Sequence, residues 1–162
     1  QINYLMIEVA KQSFYKQGFM KANGAKLVSI EKGVVIIECK LNNKLTQQHG
    51  FFHAGVITSI ADVAYGYAAL SMMPKGSDVL TVEFKTNFIN AAKTNKIVAK
   101  GSLVKSGKTL SFCEGVVTDE KQEIIFATMQ STMICLSLIL QRNVLFPNKH
   151  FLQIQDEQQI HK

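Results

Sequence analysis

Residues 54–73 form a stretch that cannot lie on a surface. Val56, Ile57, Ile60, Ala61, Val63, Ala64, Tyr67, Ala68 and Leu70 recur at helical spacing. A helix apolar around most of its circumference has to be enclosed by the rest of the fold. Small residues (Ala54, Gly55, Ser59, Ala61, Ala64, Gly66, Ala68, Ala69) interrupt the bulk and let a neighbouring backbone approach closely. Pro74-Lys75-Gly76 ends the segment. Any architecture for this chain must therefore wrap something around one long central helix.

The flanking sequence supplies the wrapping. Residues 2–17 alternate apolar Leu5, Met6, Val9 and Phe14 with Glu8, Lys11, Gln12 and Lys16, as in an amphipathic helix. Gly18 and then Asn23-Gly24 punctuate the chain. Runs rich in β-branched residues at 26–30 and 34–41 flank Glu31-Lys32-Gly33 and read as a hairpin. Residues 42–50 are polar and turn-like. After the central helix come four further β-runs at 79–88, 97–104, 109–118 and 124–133, with Ser106-Gly107-Lys108 and Asp119-Glu120-Lys121 as hairpin turns. The order predicts an α+β fold in which an antiparallel sheet of about six strands curls around the central helix. Beyond residue 134 the pattern changes to a short apolar stretch, Pro147 and glutamine-rich polar sequence. The expected division is a domain over 1–134 and a C-terminal extension over 135–162.

Composition closes off other classes. At 162 residues one domain is the default, and 47% hydrophobic with 19% charged residues is not the signature of disorder. No apolar run approaches the 18 to 20 or so residues needed to span a bilayer. The formal charge of +6 comes from 18 Lys and Arg against 12 Asp and Glu and is spread along the chain. Without a basic stripe interleaved with aromatics, a nucleic-acid partner is not expected. A mild positive field does suit a phosphate-bearing ligand. Three separated cysteines, Cys39, Cys113 and Cys135, fit neither a disulfide framework nor a zinc knuckle. With no leader pattern at the start, the expected compartment is the cytoplasm. His49 and His53 stand four apart without a third ligand, so no metal is expected.

Asp62 is the anomaly in the central helix, because burying an unpaired carboxylate is costly. Helical spacing sets Gly55, Thr58, Ser59, Asp62, Tyr65 and Gly66 along one face, a narrow polar stripe on a greasy cylinder. The stripe begins at His53-Ala54-Gly55, where the N–H groups and dipole of a helix N-terminus favour a developing negative charge. A carboxylate with such an oxyanion site can serve acyl transfer or proton abstraction. The residues alone leave open a second reading, in which Asp62 faces solvent or pairs with a cation. Tyr65, Tyr67, Phe51 and Phe52 are read first of all as core.

Gln47-Gln48-His49-Gly50-Phe51-Phe52-His53-Ala54-Gly55-Val56-Ile57, followed by Ala61-Asp62-Val63-Ala64 and Gly66-Tyr67-Ala68-Ala69, resembles the hotdog-fold acyl-CoA thioesterases of the PaaI-like, phenylacetate-pathway group. Thr81-Val82-Glu83-Phe84-Lys85-Thr86-Asn87-Phe88 is similar to that group's strand after the helix, and Ser106-Gly107-Lys108-Thr109 to its later hairpin. Ala54 stands where the family usually has glycine. The resemblance implies that the Gly55 amide polarises a thioester carbonyl and that Asp62 acts as nucleophile or general base. It further implies that Gln47 orients water or substrate and that Thr81 holds the lytic water. His53 is a further candidate, read as shaping the loop through a hydrogen bond in preference to moving protons. Lys105, Ser106, Gly107 and Lys108 become candidates for meeting coenzyme A, with no other cofactor required. It implies a homodimer or homotetramer in which Asp62 of one protomer faces residues 53–55 of the other.

Two alternatives remain beside hydrolysis. A hotdog hydroxyacyl dehydratase uses a loop His and a helix acid, and His49 and Asp62 are thirteen apart. Against it stand the missing Phe-Pro-Gly after the His and an Asp in place of Glu. A non-catalytic acyl-CoA-binding domain would keep the same residues without cleaving the thioester.

Overall fold

The computed structural model describes residues 2–137, so the greater part of the expected C-terminal extension lies outside the described residues. The elements run α1 (Ile2–Lys16), α2 (Gly18–Ala22), β1 (Lys26–Glu31), β2 (Val34–Lys40), a single 3-10 turn (Asn43–Leu45), α3 (Ala54–Leu70), β3 (Asp78–Phe88), β4 (Lys96–Ser106), β5 (Leu110–Asp119) and β6 (Ile125–Leu136). One antiparallel sheet carries the strands in the order β1-β2-β4-β5-β6-β3. The sheet wraps α3, which packs on all six strands and most heavily on β4. This is the α+β hotdog arrangement that the sequence led us to expect.

Alternation explains the layering. Val35, Ile37 and Cys39 of β2, and Ile97 and Ala99 of β4, are fully buried at every second position and belong to one core with Ile60, Ala61, Ala64 and Ala68 of α3. The closest approach is at Gly101 of β4. A side chain there would sit 2.2 Å from the Tyr65 amide nitrogen and 2.3 Å from the Ala64 carbonyl carbon. The small residues of α3 and a strand glycine together bring helix backbone onto sheet backbone.

Details depart from the sequence reading. The buried face of α1 is Met6, Ala10 and Phe14, spaced by four, whereas Leu5 and Val9 are partly exposed. Gly18 does break the first helix, but the chain restarts at once as α2, which buries Met20. β4 starts one residue early and runs two residues longer, past a bulge between Leu103 and Lys105 that leaves Val104 exposed. β6 continues through Cys135 and Leu136, which pair with Val79 and Asp78, so the domain's last strand overruns residue 134 by two.

The topology leaves β3 at one edge of the sheet, paired only with β6. Val82, Phe84 and Phe88 on it are about half exposed. A long apolar edge strand is a template for pairing with another chain.

Candidate active site and family membership

Asp62 sits midway along α3, partly exposed, and the edge strand delivers its partner. The Thr81 hydroxyl donates to Asp62 Oδ1 at 2.8 Å. Thr81 pairs with Met133 just before a bulge in β3, on the sheet face that turns toward α3. The two residues are nineteen apart in sequence and come together because the chain crosses from helix to edge strand. They open on a cleft of about 290 Å³ whose walls include Val63, Gly66, Tyr67, Asp78 and Met133. At its far wall the Tyr67 hydroxyl accepts from Gln17 Nε2 at 2.7 Å and donates to Ser13 Oγ at 3.0 Å, tying α1 to the cleft. Burial raises the Tyr67 hydroxyl above the ordinary phenol range, against the opposing hydrogen bonds of Ser13 and Gln17.

Tyr65 follows the core reading of the aromatics rather than the polar stripe on which helical spacing set it. Its ring turns into the sheet and is completely buried, with the Gly115 position beneath one edge. Burial first, and then the charge of neighbouring Asp62, push its hydroxyl well above the usual phenol range.

At the start of α3, His53 is the N-cap, and its Nδ1 accepts the Gly55 N–H at 2.9 Å. The imidazole does what a Ser or Asp side chain does at most N-caps. The Gly55 amide, expected free from the sequence, is thus taken by an exposed side chain of its own loop. Gln47 heads a tight turn: Gly50 N–H donates to its carbonyl at 3.0 Å, and the His49 N–H donates to its side-chain Oε1. It borders a second hollow with Ala54, Ile57 and Phe88.

Within one chain the candidate residues fall into three places. Gln47, His53 and Gly55 gather at the N-terminal end of α3, and Asp62 and Thr81 at its middle. Seven residues of helix separate Gly55 from Asp62, about 10 Å along the axis. Lys105, Ser106, Gly107 and Lys108 form the exposed β4–β5 turn, closed by the Gly107 N–H on the Leu110 carbonyl at 2.8 Å. Ser106 shares a cross-strand row with Ser111, Met133 and Thr81, about 14 Å from Thr81 at three strand spacings. Among the described residues no three His, Cys, Asp or Glu side chains gather where they could hold a metal ion. No described helix is long and apolar enough to cross a membrane.

Sequence reasoning missed Ser131 of β6, whose hydroxyl is buried beside Tyr65 without a hydrogen-bond partner. No local pattern could find it, since strand register alone brings it under α3.

The thioesterase superfamily model matches residues 49–126, the span from the His49 turn to the start of β6. A thioesterase family protein from Silicibacter pomeroyi is 36% identical, superimposes with a TM-score of 0.78, and is covered over 98% of its length by 82% of this chain. The chain belongs to the thioesterase superfamily. This thioesterase is also 24% identical over 108 residues to the 1,4-dihydroxy-2-naphthoyl-CoA hydrolase of Listeria monocytogenes, covering 67% of this chain and 88% of that one. The E. coli PaaI protein, from the phenylacetic acid degradation operon, shares the fold at a TM-score of 0.76 and 17% identity, over 85% of this chain and 97% of its own. The protein is a thioester hydrolase of the hotdog fold.

Proposed function

We propose that the substrate is an acyl- or aryl-CoA and that Asp62 is the reacting carboxylate. The observation that carries this reading is the Thr81 to Asp62 hydrogen bond at the mouth of a cleft. Asp62 either attacks the thioester carbon, giving an anhydride that water then hydrolyses, or takes a proton from a water molecule held by Thr81, which attacks instead. In both cases the carbon–sulfur bond breaks and coenzyme A leaves as thiolate. The carbonyl oxygen is polarised by the Gly55 N–H, which it takes over from His53; the imidazole is exposed and free to rotate away. Gln47, beside that helix end, orients water or substrate. Lys105 and Lys108, exposed on the β4–β5 turn, meet the phosphates of coenzyme A.

Because Gly55 and Asp62 of one chain are about 10 Å apart along the helix, they do not act on the same carbonyl. The reading therefore includes a homodimer, in which Asp62 of one protomer works with residues 53–55 of its partner. The exposed Val82, Phe84 and Phe88 on the edge strand support such pairing.

Thiol release from short, long, branched and aryl acyl-CoAs tests activity and substrate class together. The Asp62→Asn variant should lose at least about 10³-fold in turnover, the scale of a lost nucleophile or general base, while keeping its fold. Unchanged turnover in a folded Asp62→Asn protein removes the assignment.

A further inference from the structure

Beneath the Asp62 and Thr81 pair the structure buries two hydroxyls that the mechanism above does not use. Tyr65 is fully buried and Ser131 is 5% exposed, and neither hydroxyl completes a hydrogen bond of ordinary geometry. Orphaned polar groups of this kind are rare in a well-packed interior, and each calls for an explanation. Tyr65 follows Asp62 by three residues, so the two side chains are neighbours on α3. Ser131 approaches from β6, on the same face of the sheet as Met133 and Thr81.

We infer that Tyr65 is a positioning residue for Asp62: its buried hydroxyl donates to the carboxylate oxygen turned away from Thr81 and accepts from Ser131 in turn. The chain Ser131 to Tyr65 to Asp62 then fixes the carboxylate from below, while Thr81 fixes it from the edge strand. The directions of influence on Tyr65 agree, since Asp62 favours its protonated form and Ser131 its ionised form, as an acceptor and a donor would. Other groups facing this pair do not compete for the role. From β5 comes Cys113, whose thiol burial pushes up to about 12; from β3 Asp78, whose Oδ1 accepts from the Val79 N–H; and from α3 Tyr67, already held by Ser13 and Gln17. From β4 the Gly101 backbone lies against the Ala64 and Tyr65 backbone.

The inference rests on Asp62 being the reacting carboxylate, and its test separates the two. Protein labelled with 13C at the aspartate carboxyl carbons is observed by NMR at one fixed pH, with the Asp62 signal assigned as the one absent from Asp62→Asn. Tyr65→Phe keeps the ring that packs on the sheet and removes only the hydroxyl. Loss of the donor should shift the Asp62 signal, and Ser131→Ala should shift it by less. In the thiol-release assay, Tyr65→Phe should lower kcat about 10-fold with KM within about twofold. An idle hydroxyl predicts the opposite: a higher Tm for Tyr65→Phe, because an unsatisfied buried group has gone, with kcat and the Asp62 signal unmoved. That result overturns the inference even if Asp62→Asn is inactive. Full turnover in Asp62→Asn overturns the catalytic reading instead, and the Asp62 signal still decides whether Tyr65 holds the carboxylate.

Discussion

Gly101→Ala probes the joint on which the site is mounted. A methyl at this position would stand 2.2 Å from the Tyr65 nitrogen, 2.3 Å from the Ala64 carbonyl carbon and 2.5 Å from the Tyr65 Cα. All three are backbone atoms, so no side chain can swing away to make room. Comfortable separation for such atoms is about 3.5 Å, so α3 and β4 must part by more than about 1 Å. A gap of that size forfeits a quarter to a half of the dispersion attraction across the contact. The cost should reach or exceed the roughly 3 kcal/mol at the top of the usual range for overpacked cores. In a domain of this size that lowers Tm by about 6–12 °C. Asp62 lies two residues before Ala64 and moves with the helix, and if it is the reacting carboxylate proposed above, a displacement near 1 Å costs on the order of 100-fold in rate. Differential scanning calorimetry and the thiol-release assay measure the two effects on the same preparation. Gly18→Ala is the control, because nothing lies within 4 Å of the added methyl there. A Gly101→Ala protein that melts within about 2 °C of the parent, well short of the expected shift, refutes the claim that α3 is seated backbone to backbone on β4.

Two further outcomes follow from other parts of the fold. Burial pushes the Cys39 thiol up to about 11 and the Cys113 thiol up to about 12, so above pH 9 the unfolded chain releases these protons while the folded chain keeps them. Stability is therefore intact below pH 9 and falls as pH rises, by about 1.4 kcal/mol per thiol at pH 10; urea unfolding at pH 7, 9 and 10 checks this, and a flat profile contradicts it. Val82→Lys places a charge on the edge of β3 at a side chain already 55% exposed, where the cost to a lone protomer is within about 0.5 kcal/mol. Sedimentation velocity should show the parent as a dimer or larger and the variant shifted to monomer with lost turnover; an unshifted variant argues against pairing through this edge.

Much of the fold was legible because its strongest signals are local. The all-round apolar character of residues 54–73 required an enclosed helix, and the small residues along it foretold a close backbone approach. They did not say to what, because Gly101 lies 37 residues beyond Ala64 and a glycine in a strand has many uses. The alternation of β2 and β4 was readable, while α2 was hidden by Gly18, which ends one helix and opens the next. The site was legible to the same degree. Asp62 stood out as a carboxylate in an apolar run, but its hydrogen bond to Thr81 depends on β3 lying at the sheet edge beside α3. Helical spacing set Tyr65 on the polar stripe while its aromatic character marked it as core, and its burial bears out the second, since an angular position at the stripe's border lets the ring turn either way. Contact with Gly115 and the β4 backbone decides the direction.

The separation of the candidate residues along α3 bears on why this helix is so apolar. A single chain that carried both the carboxylate and the carbonyl-polarising amide at one point would need a kinked or broken helix, with polar backbone opened into the core. Here α3 runs unbroken from Ala54 to Leu70, and its backbone groups stay paired inside the sheet. A rigid helix can present Asp62 and Gly55 at a fixed spacing of about 10 Å, but only a second protomer can bring a Gly55 to a given Asp62. In that arrangement the exposed apolar edge of β3 and the uncovered mouth of the Asp62 cleft have one cause. On the proposed dimer reading both are surfaces that the lone chain leaves for its partner, and a substitution that weakens pairing should reduce catalysis without touching a proposed catalytic residue.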